Sequence, residues 1–451
     1  MNDDLQTTPP REDWYEWSLT AFYISYMGFE WMSLLFKVVP AHVLVSLTVL
    51  TWGVAASLQA IAPSYPVLVA LRVLLGMGEA GFAGIPFYLS FFFRREELAF
   101  RTAIFVSAAP LASSFASTLA YVIVWLAGKL SSPIAPWRLL FLVEGFPSVL
   151  ASVTAWSVLP DGPESASYLT ERERKVARLR LLGHPPHRRR QHSSSSSSSP
   201  SRRGLGAREL LAVLVDPVAW ISAAMFFLTN MAYSSLPVFL PRIMTQMGHD
   251  ALASQALTAP PYLCAFVTVL FTAHMSDRLR ARAGPVVLHA LSSAAGYALL
   301  ALAQPLGLPG SVRYLAVYPA AAGFFAVATL LVAWTINNQA SQARQGAGFA
   351  LMQLVGQCGP LVGTRLYPDA HAPYYAPGMT ACALAMAAVA ALALLLRTYL
   401  ARQNRKMDEA ETGRPRRRAT AAVDEEEEEG LVPASLPRRG RRSARSFRYM
   451  L

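Results

Sequence analysis

Along this chain, apolar residues gather into long blocks separated by short polar or basic joints. Eleven blocks approach the roughly 20 residues with which a helix crosses about 30 Å of hydrocarbon. They fall at 17–36, 41–62, 66–93, 102–127 and 138–159, then at 217–240, 257–275, 285–304, 314–336, 348–367 and 376–399. Lipid offers no water to satisfy a backbone, so each block is expected to close its own hydrogen bonds as an α-helix. The pattern predicts an all-α polytopic membrane protein with spans grouped five and six. The expected organisation is an N-terminal tail (1–16), a helical bundle (17–159), a joining region (160–216), a second bundle (217–399) and a tail (400–451).

Composition changes this picture little. The chain is 53% hydrophobic and 15% charged, against about 25% charged in an average soluble protein. A net charge of +12 raises nucleic acid as a partner. The Lys and Arg residues, however, sit in joints and tails, where membrane orientation needs them. No nucleic-acid partner is expected. Cys264, Cys358 and Cys382 are scattered through apolar stretches without metal-ligand spacing, so neither metal nor cofactor is expected. The start, MNDDLQTTPPREDW, has no basic region followed by an apolar core, and no secretory signal is read there.

Charge placement also orients the spans. Arg94, Arg95 and Arg101, then Arg278, Arg280 and Arg282, then Arg344 make alternate joints basic, whereas APSYP, QPLGLPGS and YPDAHAPYYAPG carry almost no positive charge. The basic set is expected to be cytoplasmic. Six spans separate the joining region from the tail, so both belong on that side, and five spans before the joining region put the N-terminus outside. The joining region carries RERKVARLRL, HRRRQ and a serine run at 193–199. Such a composition cannot bury a core, which predicts a flexible, solvated linker. The tail mixes arginine clusters (416–418, 438–442) with an acidic run at 425–429 and reads as disordered.

Four segments carry a family resemblance: LRVLLGMGEAGFAGIPFYLSFFFRREELAFRTAIFVSAAPLA (71–112), WRLLFLVEGFPSVLASVTAWSVLPDGPESASYLTERER (137–174), LTAPPYLCAFVTVLFTAHMSDRLRAR (257–282) and NNQASQARQGAGFALMQLVGQCGPLVGTRLYPDAHAPYYAPG (337–378). They resemble the major facilitator superfamily, in particular the fungal allantoate and vitamin permease branch of the anion:cation symporters. With the spans between them they cover most of the chain. The resemblance implies two six-helix bundles around a central cavity. Against that pattern the first family helix is expected to be missing, because FYISYMGFEWMSLLFK is similar to the family's second helix. Met32 and Leu34 stand there where proline and asparagine are usual.

Charges inside apolar spans are the candidate chemistry, since one near the bilayer centre costs roughly 2.5–3.5 kcal/mol on insertion scales. Arg72 and Glu79 are seven residues apart, which puts them on nearly one helix face, about 10 Å apart along the axis. Arg72 could meet a substrate carboxylate and Glu79 could take a coupling proton; equally, the two could clamp the bundle as an internal pair. Both match the family's fourth-helix pattern. Glu144 is the reserve proton site, though it also reads as a hydrogen-bonded structural acid, as does Glu30. By the resemblance Asn230 lies on a cavity-lining helix, where its amide could bind substrate or join two helices. Asn337 and Asn338, at a helix end, read as a cap or gate. HMSDRLRAR resembles the superfamily's cytoplasmic loop motif, and Asp277, Arg278 and Arg282 would form a latch between conformations. GQCGPLVG (356–363) combines glycine with proline inside a span and suggests a bend or close packing.

One motif is a decoy. Gly76, Gly78 and Gly81 match G-x-G-x-x-G but lie inside a continuous apolar span with no strand before them, so close helix packing explains them better. No nucleophile, metalloprotease or P-loop pattern appears, and no enzyme is expected. The expected function is transport of a small organic anion, a carboxylate or a vitamin such as nicotinate, allantoate, pantothenate or biotin. It would proceed with a proton, by alternating access, in a monomer of the plasma membrane. The alternative is a non-transporting membrane protein, either a nutrient sensor or an inactive truncated carrier.

Overall fold

A computed structural model describes residues 5, 14–94, 97–130, 135–182, 207–234, 236, 240, 244–245, 248, 251–339, 342–368, 371–372, 374–426 and 449–450. The serine run at 193–199, the arginines at 438–442 and most of the first 16 residues lie outside the described residues. No β-strand occurs among the described residues.

Helix α1 (Trp14–Phe29) runs into a 3₁₀ segment over Glu30–Lys37, so the first apolar block is not the single α-helix expected of it. Then come α2 (Ala41–Gln59), α3 (Tyr65–Phe82), α4 (Ile85–Leu89), α5 (Leu98–Val106), α6 (Ala108–Leu130) and α7 (Pro136–Val158). The joining region holds α8 (Glu171–Leu182) and α9 (Ala207–Leu214). After it come α10 (Pro217–Ser234), α11 (Ala251–Leu279), α12 (Ala283–Ala301), α13 (Gly310–Asn337), α14 (Gln342–Gly356), α15 (Cys358–Gly363) and α16 (Ala376–Glu426). Helix α16 thus continues well past Tyr399, where the apolar pattern stops. Among the described residues, eight helical stretches are long and apolar enough to cross a membrane. The blocks at 17–36, 217–240 and 348–367 also hold helices, but shorter or interrupted ones.

Packing follows from small residues and from burial. Helix α3 lies between α1 and α2, and α2 packs on α7. Gly76 and Gly78 make the first of these contacts possible. A Cβ on Gly76 would stand 2.6 Å from the Phe22 carbonyl oxygen of α1, and one on Gly78 would stand 2.9 Å from the Trp52 nitrogen of α2. The G-x-G-x-x-G pattern is therefore a packing surface, as its setting in an apolar span suggests. On the other side, α12 packs on α13 and α16, while α10 packs on α14, α15 and α16. The two sets meet where α5 and α6 pack on α11 and α5 on α13. Helix α13 is central, with 83% of its most apolar window buried; α7 has 11%. Helix α7 turns Phe146, Leu150, Val153 and Trp156 outward, an apolar surface suited to lipid.

The start of α2 has no side-chain cap of its own and is capped from another part of the chain. The His42 backbone N–H in the first turn of α2 donates to Asp161 Oδ1 at 3.2 Å, and the His42 ring nitrogen Nδ1 lies 2.8 Å from the same oxygen. Partial burial pushes the Asp161 carboxyl up, but bonds from the His42 ring and backbone and the Ala41 backbone together hold it below the usual carboxylate range. At the other end of α2, an Arg138 guanidinium N–H donates to the Ala60 carbonyl at 2.9 Å, a cation where the helix dipole favours one.

Candidate functional site

A cavity of about 300 Å³ opens where the two sets of helices meet. Its wall is mainly aromatic, with Trp52 of α2, Phe82 of α3, Phe105 of α5, Phe226 of α10 and Phe349 of α14. Ala328 and Val332 of α13 close another side. Its polar groups are Tyr26 of α1, Glu79 of α3 and Gln353 of α14. Ala83 and Pro86 line it from the turn between α3 and α4 and from the start of α4.

Glu79 is the one carboxyl among these lining residues. Arg72, two turns earlier on α3, is half-buried, and its guanidinium carbon sits 5.4 Å from the centre of the Phe141 ring of α7. Arg72 is not itself a lining residue, but its charge acts on the carboxyl of Glu79 and also on that of Glu144. Arg72, Glu79 and Glu144, three of the charged candidates of the sequence, therefore act as one electrostatic group. Glu144 is the exposed member of it, on α7.

Sequence reasoning missed two polar neighbours of this group, Tyr26 and Gln353. Tyr26, half-buried on the cavity wall, feels the charges of both Glu30 and Glu79. Glu30, only 1% exposed, has neither carboxyl oxygen in hydrogen-bond geometry, with the Gln353 side chain beside it. Tyr26, Glu30, Glu79 and Gln353 thus form a polar seam through the aromatic wall. Gln353 stands out in its sequence only as an amide in an apolar run; nothing in that run points across to residues 26–79.

Asn230 takes a different place. It is 9% exposed and donates from Nδ2 to the Gly356 carbonyl at 3.3 Å, joining α10 to the end of α14. Proline chemistry explains why that carbonyl is available. Pro360 has no N–H, and its ring disfavours the carbonyl four residues back, which is that of Gly356. The span breaks there into α14 and α15, and Asn230 takes over the freed acceptor. Gly359 lets the broken segment close on α10, since a Cβ there would stand 2.8 Å from the Met231 nitrogen. The bend read from GQCGPLVG and the amide at 230 are parts of one joint.

The charged loop after α11 forms a tight cluster. Arg282 is fully buried, and its guanidinium donates to Asp277 Oδ1 at 2.5 Å and to Ser276 Oγ at 2.8 Å. Burial pulls the Arg282 acid constant down from its ordinary value, and the Asp277 charge opposes that pull. The other oxygen, Asp277 Oδ2, accepts the backbone N–H of Phe100 at 2.7 Å. Phe100 lies in the first turn of α5, whose preceding residue Glu97 supplies no side-chain cap. A carboxylate from α11 thus satisfies an orphan donor at the positive end of α5, a cap worth about 1 kcal/mol. Arg278 is exposed and stands outside the cluster. The joining region docks nearby, where Arg180 of α8 pairs with Glu97.

Stacked apolar helices, a cavity at the junction of two sets and a charge cluster bridging them define a polytopic membrane carrier. The chain belongs to the Major Facilitator Superfamily, whose family model matches residues 3–364. It is 31% identical over 421 residues to the MFS transporter prlL of a fungal species (strain NRRL 50135), covering 90% of this chain and 79% of that protein. It is 29% identical over 411 residues to the major facilitator-type transporter hxnP of Emericella nidulans, covering 89% and 79%. A protein of Agrobacterium vitis named as a tartrate transporter is 31% identical over 282 residues, covering 62% of this chain and 59% of that one. In fold, the chain is similar to the proton:xylose symporter XylE solved with 6-bromo-6-deoxy-D-glucose. The TM-score is 0.67 at 13% identity, covering 88% of this chain and 87% of that one. The chain is therefore an integral, multi-pass transporter of the major facilitator type, a family of non-enzymatic carriers of small molecules.

Proposed function

We propose that the chain is a proton-coupled symporter of a small organic anion, of the allantoate and vitamin permease branch, working by alternating access. The observation that carries this reading is the single carboxyl of the cavity wall, Glu79, under the field of Arg72 on the same helix face. In this scheme Arg72 is shared. While Glu79 is a carboxylate, it answers the arginine charge. When Glu79 takes a proton, that charge is left for a substrate carboxylate, so proton and anion enter together. Release of the proton returns Arg72 to Glu79 and expels the anion. Glu144, which also feels Arg72, is the reserve acceptor.

The rest of the reading assigns supporting parts. Asp277 and Arg282 hold α11 against α5 in one conformation and let go in the other, with Arg278 as an outlying charge of the same loop. Asn230 acts on substrate only through the joint it makes with Gly356. The protein works as a monomer in the plasma membrane, with the joining region and tail cytoplasmic. The aromatic wall suits a flat or largely apolar anion such as nicotinate, and the tartrate assignment of the Agrobacterium vitis relative adds small hydroxy acids.

Uptake of labelled nicotinate, tartrate, allantoate, pantothenate and biotin in cells expressing the chain tests this. At least one anion is expected to enter faster as external pH falls, and Arg72→Ala at equal surface level should lower that uptake at least tenfold. Unchanged uptake by Arg72→Ala would sink the shared-arginine scheme.

A further inference from the structure

Away from the cavity lies a groove at the C-terminal end of α13 and partway along α16. Two residues distant in sequence, Tyr449 and Met450, are seated there between two asparagines. The Tyr449 N–H donates to Asn404 Oδ1 at 2.9 Å, and Asn404 Nδ2 donates back to the Tyr449 carbonyl at 3.0 Å. The Met450 N–H donates to Asn338 Oδ1 at 2.8 Å, and Asn338 Nδ2 donates back to the Met450 carbonyl at 3.2 Å. The indole N–H of Trp334 adds a bond to that same carbonyl at 2.8 Å. Asn337 Nδ2 lies 3.4 Å from the Met450 sulfur.

This geometry has a specific chemistry. In an extended chain, the N–H and C=O of one residue point to the same side, and those of the next residue point to the other. A carboxamide carries one acceptor and two donors, so it can pair with both groups of a single residue as a neighbouring strand would. Asn404 reads one edge of the dipeptide and Asn338 reads the other. The Met450 carbonyl, with two lone pairs, is fully used by Trp334 and Asn338. The receiving side chains are built into the helix ends: Trp334 is 1% exposed, Asn337 0% and Asn338 3%. Tyr449 packs against the main apolar core.

We propose that this groove is a peptide-docking site that reads an extended backbone, that its occupant is the chain's own Tyr449–Met450, and that occupancy restrains the end of α13. The consequence reaches the carrier, because α13 also supplies Ala328 and Val332 to the cavity wall, within two or three turns of Asn338. The dipeptide ties the end of that wall helix to α16. A carrier with the groove filled holds α13 in place; a carrier with it empty lets that helix end move.

Hydrogen exchange read by mass spectrometry on the full chain in lipid nanodiscs tests this, without knowledge of the transported substrate. The Tyr449 and Met450 amides are expected to exchange at least tenfold slower than in a free peptide of the same sequence. In an Asn338→Ala, Asn404→Ala double variant they should exchange at the free rate. A chain ending at Arg448, which leaves every helix untouched, should exchange at least fivefold faster over 334–339. Free-rate exchange of the two amides in the intact chain, or their protection in the double variant, would overturn the docking. Unchanged exchange over 334–339 in the shortened chain would overturn the restraint.

Discussion

Two charged corners of this molecule are built in opposite ways. At the loop after α11, Arg282, Asp277, Ser276 and the Phe100 N–H are linked by hydrogen bonds of 2.5–2.8 Å, and the arginine is fully buried. Beside the cavity, Arg72 acts on Glu79 and Glu144 together, with Phe141 stacked near its guanidinium. The first corner fixes one arginine to one carboxylate and spends the second oxygen on a helix start. The second leaves one arginine answering to two acids, only one of which lines the cavity. A corner of the first kind holds a conformation. A corner of the second kind can change partners, which a coupled carrier requires.

That contrast can be broken at its strong end first. Asp277→Ala strands a buried arginine, and removing one member of a buried pair costs about 3–5 kcal/mol. The detergent-solubilised variant should melt well below the parent. Adding Arg282→Met should recover much of the loss, since an apolar pair of similar volume replaces the ion pair. If the single variant melts like the parent, the cluster is not a clamp. Glu79→Gln should do the reverse. It should leave the melting temperature within a few degrees while lowering pH-driven anion uptake at least tenfold, or about 1.4 kcal/mol in the coupled step.

Smaller effects sharpen the picture. Asn230→Ala removes one interhelical bond, for which an average near 0.6 kcal/mol is expected in membrane helices. A modest drop in melting temperature with uptake largely retained would place this residue in the joint. Abolished uptake at normal stability would give it a direct part in transport. Asp161 carries the smallest effect, and it depends on pH. Its folded-state acid constant is depressed, so its contribution is complete above the unfolded value of about 3.9 and is lost as pH falls through the lower folded value. Between pH 6 and pH 3 the parent should lose more thermal stability than Asp161→Asn. Parallel curves would show that the Asp161 carboxylate does not support the start of α2.

Much of this was legible in the sequence because membrane helices write their length and composition directly into it. The apolar blocks located every helical stretch around the cavity, and the span context exposed the Gly76–Gly78–Gly81 decoy as a packing face. The seven-residue spacing of Arg72 and Glu79 placed them on one face, since both belong to one helix. What stayed hidden needs two distant segments at once. Gln353 faces residues 26–79 only after the two sets of helices meet. The acceptor for Asn230 exists because Pro360 frees Gly356, 126 residues away. Asp277 was visible as a loop charge, but its partner is a backbone N–H on α5, and backbone donors leave no residue signature. The 3₁₀ segment after α1 escaped because its composition is that of an ordinary helix.

Sharing of Arg72 between Glu79 and the transported anion would make proton and anion entry one event. The most direct measurement is proton movement into proteoliposomes carrying a pH dye when each anion of the panel is added outside. Lumenal acidification is expected with the transported anion for the parent and none for Glu79→Gln. Anion entry without acidification in the parent, or equal acidification in the variant, would contradict it.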